Sequence, residues 1–399
     1  VFVGRLLCPS STGAQDIKNW TDKVIRYEVY PGEGDASYLT KAFFVAADQL
    51  TGYPGIMVSS LPTGFTNTIF TEQPSGVAEF PTAYSGSEVI TEMNNYYGIY
   101  SWFCHGAPAT ITTKTKFDNE RPWYGITTYD ATTQLMAETG NGLDNLSNDK
   151  YPSILYSIGC QNAQFDDRDD PDNRTITEGF TVTTKYGGPA ALANTRLGLT
   201  YASSYLFKTF LDTIKRSGTE ESGEAYAHLG VAELISKQRY ADHYLSYSHN
   251  LFGCPETRMW LAAPSQFTSA SVTDGTSYLS VNAGVSGATI NVRSANSGSS
   301  YNLTVNNASS YSFSTTVRPL IVTITKAGYL PYMAITGGTI SYNTSLWGDM
   351  DIIGNLTVSS GYTVTVDSGS ILNFASGISL TVNGTLSAVG TATCPITFT

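Results

Sequence analysis

The sequence predicts an α/β domain with a mostly parallel sheet, followed by all-β modules. Three observations carry the prediction. Before about residue 264, short apolar runs alternate with amphipathic stretches, as strands buried on both faces alternate with covering helices. From 266 to 336 the pattern becomes period-two alternation with no helix signal. From Gly337 it shortens into strands punctuated by Gly and Asn.

In chain order, VFVGRLL opens with a strand-like apolar run. Residues 13–28 place Ile17, Trp20, Val24 and Tyr27 on one helical face, with Ser10, Ser11 and Thr12 available as caps. AFFVAAD (42–48), YSWFCHG (100–106), SILYSIGC (153–160) and GGPAALANT (187–195) have the length of fully buried strands. Residues 176–186, 203–216 and 222–239 read as helices. YLSVNAG, ATINVRS, YNLTVNN, SYSFSTTV and LIVTITKAGY fit an immunoglobulin-like sandwich of about 70 residues. GNLTVSSG, YTVTVDSG, SILNFASG, ISLTVNG and TLSAVG read as stacked coils of a β-solenoid, about eight to ten residues each. The expected domains are 1–262, 263–336 and 337–399.

The chain has 399 residues and a formal net charge of −11, which argues against binding a phosphate backbone. Only 14% of residues are charged, against about 25% on average. Hydroxyls, amides and 26 Tyr take their place, a surface suited to secreted β-rich proteins. There is no apolar run of the 18 or more residues that a spanning helix needs. Eight Asn-x-Ser/Thr sequons point the localisation outward, five of them after residue 300: Asn302, Asn307, Asn343, Asn355 and Asn383. Both ends read as boundaries within a longer protein. Five scattered Cys make no disulfide framework and no zinc pair, which leaves one as a working thiol. Four His make a catalytic imidazole easy to search for.

Parallel sheets gather functional groups at the carboxyl ends of their strands. Three of the buried runs end on a reactive side chain: Asp48, His105 and Cys160. An imidazole beside a thiol favours the thiolate. The same imidazole then protonates a leaving amine, and a carboxylate on its other nitrogen fixes tautomer and orientation. Gly106 and Gly159 flank the two groups and would let a substrate backbone approach. The N–H groups of Gly106 and Cys160 are candidate oxyanion donors. Against this stand the plainer readings of a buried apolar Cys, a structural His and a helix-capping Asp.

Residues 1–262 resemble the catalytic domain of gingipain-type cysteine peptidases of the caspase-like clan. The blocks run in order: VFVGRLL, the helix ending KVIRYE (23–28), FFVAAD, CHG (104–106), SIGCQNAQF (157–165), TEGFTVTTKYGGPAALANTRLG (177–198) and NLFGCPETRMW (250–260). The resemblance implies a caspase-like fold, Cys160 as nucleophile, His105 as its acid/base and Asp48 as the orienting acid. An immunoglobulin-like module after the catalytic domain also fits the family. The departures are Cys104 where the family has Gly, Cys254 in place of the Asp of G-D-P, and a longer segment between His105 and Cys160. In relatives the chain after the next strand lines the specificity pocket; here that assigns Thr195, Arg196 and Tyr201 to substrate binding. No carboxylate lies between Thr195 and Tyr201, so this stretch does not support a pocket for basic residues.

Asp166, Asp167, Asp169, Asp170 and Asp172 form an acidic loop with oxygens enough for a structural Ca²⁺, as in relatives, or a solvated loop. The chemistry itself requires no cofactor. The function these observations point to is a secreted or cell-surface cysteine endopeptidase acting on proteins or peptides, attached through its C-terminal β modules. The alternatives are a transpeptidase of the same chemistry and an inactive peptidase-like adhesion or structural protein.

Overall fold

The computed structural model describes residues 3–8, 11–72, 84–114, 124–129, 138–166, 174–217, 226–240, 242–392 and 394–399. The chain divides into two units, Val1–Ala263 and Pro264–Thr399.

The strands of the first unit are β1 (Lys41–Ala46), β2 (Thr66–Thr71), β3 (Ile99–Phe103), β4 (His105–Ala107), β5 (Thr110–Lys114), β6 (Tyr124–Thr127), β7 (Ile154–Ser157), β8 (Ala190–Asn194) and β9 (His249–Phe252). The main sheet has the order β2-β1-β3-β7-β8-β9. It is parallel except at β9, which runs antiparallel to β8. Its helices are α1 (Gly13–Glu28), α2 (Tyr53–Val58), α3 (Gly86–Met93), α4 (Ile176–Glu178), α5 (Thr200–Lys215), α6 (Leu229–Tyr240) and α7 (His243–Ser248). Successive strand residues point to opposite faces, so Phe44 and Tyr156 pack on Phe207 and Phe210 of α5, while Phe43 and Tyr100 pack with Val89 of α3 and Phe180 beyond α4. Each of these buried rings contributes roughly 1.5–3 kcal/mol. Both faces are covered, which is why the strand sequences are continuously apolar.

Four local expectations are corrected. Among its described residues, 3–7, VFVGRLL makes a bridge, Arg5 to Phe252, instead of a strand. YSWFCHG is two strands, because the chain leaves the main sheet at Cys104 and enters a small antiparallel sheet of β4, β5 and β6. The buried face of α1 carries Asp16, Asn19, Lys23 and Tyr27, and Ile17 is half-exposed. That face is polar because it caps the carbonyls of the π-helical turn Gly179–Thr183 that follows α4: Lys23 Nζ donates to Phe180, Thr184 and Tyr186 carbonyls at 3.0, 2.9 and 2.8 Å. Thr12 occupies the cap position, but its hydroxyl donates to Asp16 and caps no backbone N–H.

In the second unit a three-stranded sheet, Ser271–Asp274, Tyr278–Asn282 and Ser310–Ser314, shares a core with a seven-stranded one. The larger sheet is antiparallel from Asn302–Ala308 to Tyr332–Ile335 and parallel beyond, through Asp349–Ile352, Ile371–Phe374 and Thr397–Phe398. One continuous sheet therefore crosses the expected boundary at 336/337. Two further parallel sheets complete the solenoid. Leu356 pairs with Leu380 and Val364 with Leu386, so each eight-to-ten-residue segment is one side of a coil, and a coil has three sides. No helix among the described residues is long and apolar enough to cross a membrane.

Candidate active site

Three adjacent parallel strands, β1, β3 and β7, end at one edge of the main sheet. The Ala47 N–H donates to the Phe103 carbonyl at 3.0 Å and the Ile158 N–H to the Trp102 carbonyl at 3.1 Å, which extends both ladders past the strand ends. Asp48, His105 and Cys160 each follow within two residues of these bonds. The sheet alone thus delivers a carboxylate, an imidazole and a thiol to one edge.

His105 Nε2 lies 3.1 Å from Asp48 Oδ2. Both side chains are partly exposed. Asp48 adopts φ +52°, the left-handed region that Asp tolerates better than most residues. Its N–H donates to Oε2 of the buried Glu72 at 2.8 Å, which holds that conformation. Glu72 sits at the end of β2, and its N–H donates to the Ala46 carbonyl.

Cys160 lies in a turn that Asn194 pins from β8: its Nδ2 donates to the Ile158 carbonyl at 2.9 Å and the Gly159 carbonyl at 3.3 Å. The Gln161 N–H donates to the Arg196 carbonyl, and the Ala163 N–H to the Asn194 carbonyl. The Gly198 N–H donates to Cys160 Sγ at 3.2 Å. On the side of His105, a Cβ added at Gly106 would stand 2.8 Å from the Cys160 carbonyl oxygen, so the His strand and the Cys turn are in contact there. The glycines at 106 and 159 have a different reason from the one their sequence suggests. A Cβ at either would collide with the side chain of Asn162, so they make room for a protein group and not for substrate.

The remaining expected residues divide. Tyr201 is 60% exposed and its ring lies 4.4 Å from that of Tyr205, on the chain just past Gly198. Thr195 is no cleft residue: it is buried, and its hydroxyl and N–H both donate to the Ser248 carbonyl. The Arg196 guanidinium is taken up by Asp166, with two N–H···O contacts of 2.9 Å. That bidentate pair holds the Asp166 carboxyl below the usual range and uses both of its oxygens. Both Asp166 oxygens are thus engaged by Arg196, and no metal-binding group of three side chains occurs among the described residues. Asp167, Asp169, Asp170 and Asp172 lie outside the described residues. Cys104 does not crowd the site. It is buried with its Sγ 3.6 Å from the Val45 carbonyl, and burial pushes its thiol well above the ordinary range.

Sequence reasoning missed Glu72, Asn162, Asn194 and Gly198. Their available signal was position only: each stands at, or within a few residues of, the end of a strand at the functional edge.

A model of peptidase family C25 matches residues 1–260. No curated protein matches the chain. Among solved structures, the chain is similar to the Arg-specific cysteine proteinase gingipain R (RGPB), with a TM-score of 0.62 and 14% identity, covering 84% of this chain and 74% of that one. It is also similar to the complex of Porphyromonas gingivalis RgpB pro- and mature domains, with a TM-score of 0.60 and 14% identity over 84% and 75%. A structure described as a protease matches with a TM-score of 0.54 and 15% identity over 82% and 72%. At these identities the solved structures establish the fold.

Proposed function

The chain belongs to peptidase family C25 and is a cysteine peptidase; from that premise we propose that it is a secreted or surface-held endopeptidase working through Cys160, His105 and Asp48. The observation that carries the assignment is the 3.1 Å contact between His105 Nε2 and Asp48 at the edge shared with Cys160. With Nε2 on the carboxylate, Nδ1 is left for the thiol. Cys160 gives its proton to His105, and the thiolate attacks the scissile carbonyl carbon. The N–H groups of Gly106 and Cys160 receive the oxyanion. As the C–N bond breaks, His105 returns the proton to the leaving amine, and a thioester remains on Cys160. Water, losing a proton to His105, attacks the thioester. The acid leaves and the thiol is restored.

Tyr201 is assigned to substrate side chains by its exposure beside Gly198, whose N–H meets the nucleophile. Extracellular placement is supported by the weakly charged, sequon-rich surface, and attachment through Pro264–Thr399 is part of the same proposal.

A thiol-reactive probe and a fluorogenic peptide library test the reading. Cys160→Ala and His105→Ala should each lower kcat/KM by at least about 10³-fold. Product masses in the presence of an added amine should show free acids; amine conjugates would make the enzyme a transpeptidase. A Cys160→Ala protein that cleaves as fast as the parent sinks the assignment.

A further inference from the structure

We propose that Asn162 is a positioning residue that fixes Cys160 and His105 relative to one another through one buried side chain. The proposal rests on the peptidase reading. Asn162 is fully buried, two residues after Cys160. Its Nδ2 donates to the Ala107 carbonyl at 3.0 Å and the Thr110 carbonyl at 3.1 Å. Those residues pair with each other at the closed end of the β4–β5 hairpin, which His105 begins. Its Oδ1 accepts from Ser157 Oγ at 2.7 Å, at the end of the strand that leads to Cys160. Ser157 Oγ also accepts from the Gly159 N–H at 3.2 Å, so its proton is free for Oδ1. Two carbonyls require N–H groups and one hydroxyl requires an acceptor, which settles the orientation of the amide.

The main chain of Asn162 is held as firmly. Its carbonyl accepts from the Thr177 hydroxyl at 2.8 Å and the Thr177 N–H at 3.3 Å. One residue thus joins the Cys turn, the His hairpin and the start of α4. The fit is close: a Cβ at Gly106 would stand 2.5 Å from Asn162 Nδ2, and one at Gly159 would run into Oδ1. Both glycines beside the reacting residues are therefore accounted for by this side chain. Hydrogen bonds in a buried, low-dielectric setting resist distortion. A misplacement of about 1 Å between reacting groups costs on the order of 10²-fold in rate. Asn162 hydrogen-bonds to neither thiol nor imidazole, so its contribution is geometric.

The test compares the pH profile of Cys160 alkylation by iodoacetamide, read by mass on the Cys160 peptide, in the parent, His105→Ala, Asn162→Ala and Ser157→Ala proteins. Near-UV circular dichroism establishes folding. Asn162→Ala should lower kcat by about 10²-fold with little change in KM, and its alkylation profile should move onto that of His105→Ala. Ser157→Ala removes the bond that steadies Oδ1 together with the acceptor of the Gly159 N–H, keeps both Asn162 bonds to the His105 hairpin, and should move the profile part of the way. A folded Asn162→Ala protein with the parent's profile overturns the proposal. Should Asn162→Ala not fold, a Ser157→Ala profile identical to the parent's overturns it. A His105→Ala profile identical to the parent's instead overturns the peptidase reading, and this inference falls with it.

Discussion

The two units fill their interiors differently. Among the described residues, Val1–Ala263 buries Lys23, Arg174, Glu178, Glu233 and His249, whereas the buried polar side chains of Pro264–Thr399 are the hydroxyls of Ser294, Thr315, Thr336 and Ser370. The difference follows the backbone. In the second unit, ladder hydrogen bonds satisfy the main chain coil after coil, and aliphatic side chains such as Ile340, Leu356 and Val364 suffice inside. In the first, the chain leaves regular structure at the π-helical turn after α4, at the Cys160 turn and at the His105 hairpin. Buried Lys23, Asn194 and Asn162 supply the missing donors at those places. Lys23, Asn194 and Asn162 thus mark where the backbone is irregular, and two of those three places form the catalytic edge.

The largest effect that would sharpen this contrast is expected at Lys23. Lys23→Met keeps the length of the side chain but leaves the Thr184 and Tyr186 carbonyls without this donor, and the Phe180 carbonyl with the Gly188 N–H alone. Each unsatisfied carbonyl costs about 1–3 kcal/mol, partly relieved by water, so a loss of about 4 kcal/mol is expected. Urea denaturation followed by tryptophan emission measures it, since only Trp347 of the five tryptophans lies in the second unit. A loss under about 1 kcal/mol would break the link between buried polar groups and irregular backbone.

The same contrast explains what could be read from the sequence. β1, β3 and β7 were readable because full burial leaves a continuous apolar run, and their ends located Asp48, His105 and Cys160. β2 escaped because TNTIFT is an edge strand that is only half-buried. The apolar count puts the α1 face at Ile17, one residue out of phase with the π-helical turn, which demands Asn19 and Lys23. Chain position points Thr195 to the cleft but says nothing of side-chain direction, and its hydroxyl turns to the Ser248 carbonyl. Asn162 carries no periodicity and no charge; Gly106 and Gly159 read in the sequence as room for substrate, whereas the room they make is taken by its side chain.

A second effect, of about 3 kcal/mol, tests the charged interior directly. Glu233 is buried, with Oε1 2.9 Å from His249 Nδ1 and 3.0 Å from Lys237 Nζ. Burial pushes its carboxyl up, but the two neighbours outweigh burial and lower it from 4.5 to about 2. A depressed carboxyl contributes stability that is complete above the unfolded value and lost as pH falls towards the folded one. The parent should therefore exceed Glu233→Gln by about 3 kcal/mol at pH 7, and the gap should narrow to less than about half by pH 3. Urea midpoints at pH 7, 5, 4 and 3 give the gap directly. A gap that stays constant across this range would mean that Glu233 acts through packing alone.

The smallest effect belongs to the second unit. Ile352 is fully buried in Asp349–Ile352, paired with Ile335 on one side and Phe374 on the other. Ile352→Val removes one methylene and keeps both the β-branch and the ladder, for a cost of about 1 kcal/mol. Solenoid coils contact chiefly the coils before and after them, so the loss has nowhere to spread. Amide hydrogen exchange should quicken at Tyr332–Ile335, Asp349–Ile352 and Ile371–Phe374, and stay unchanged at β1 and β7. In the first unit the buried side chains each tie several distant segments together, so a lesion there should quicken exchange across the sheet. If Ile352→Val loosens β1 as much as its own coil, the units are not energetically separate, and the contrast between a distributed and a keyed interior fails.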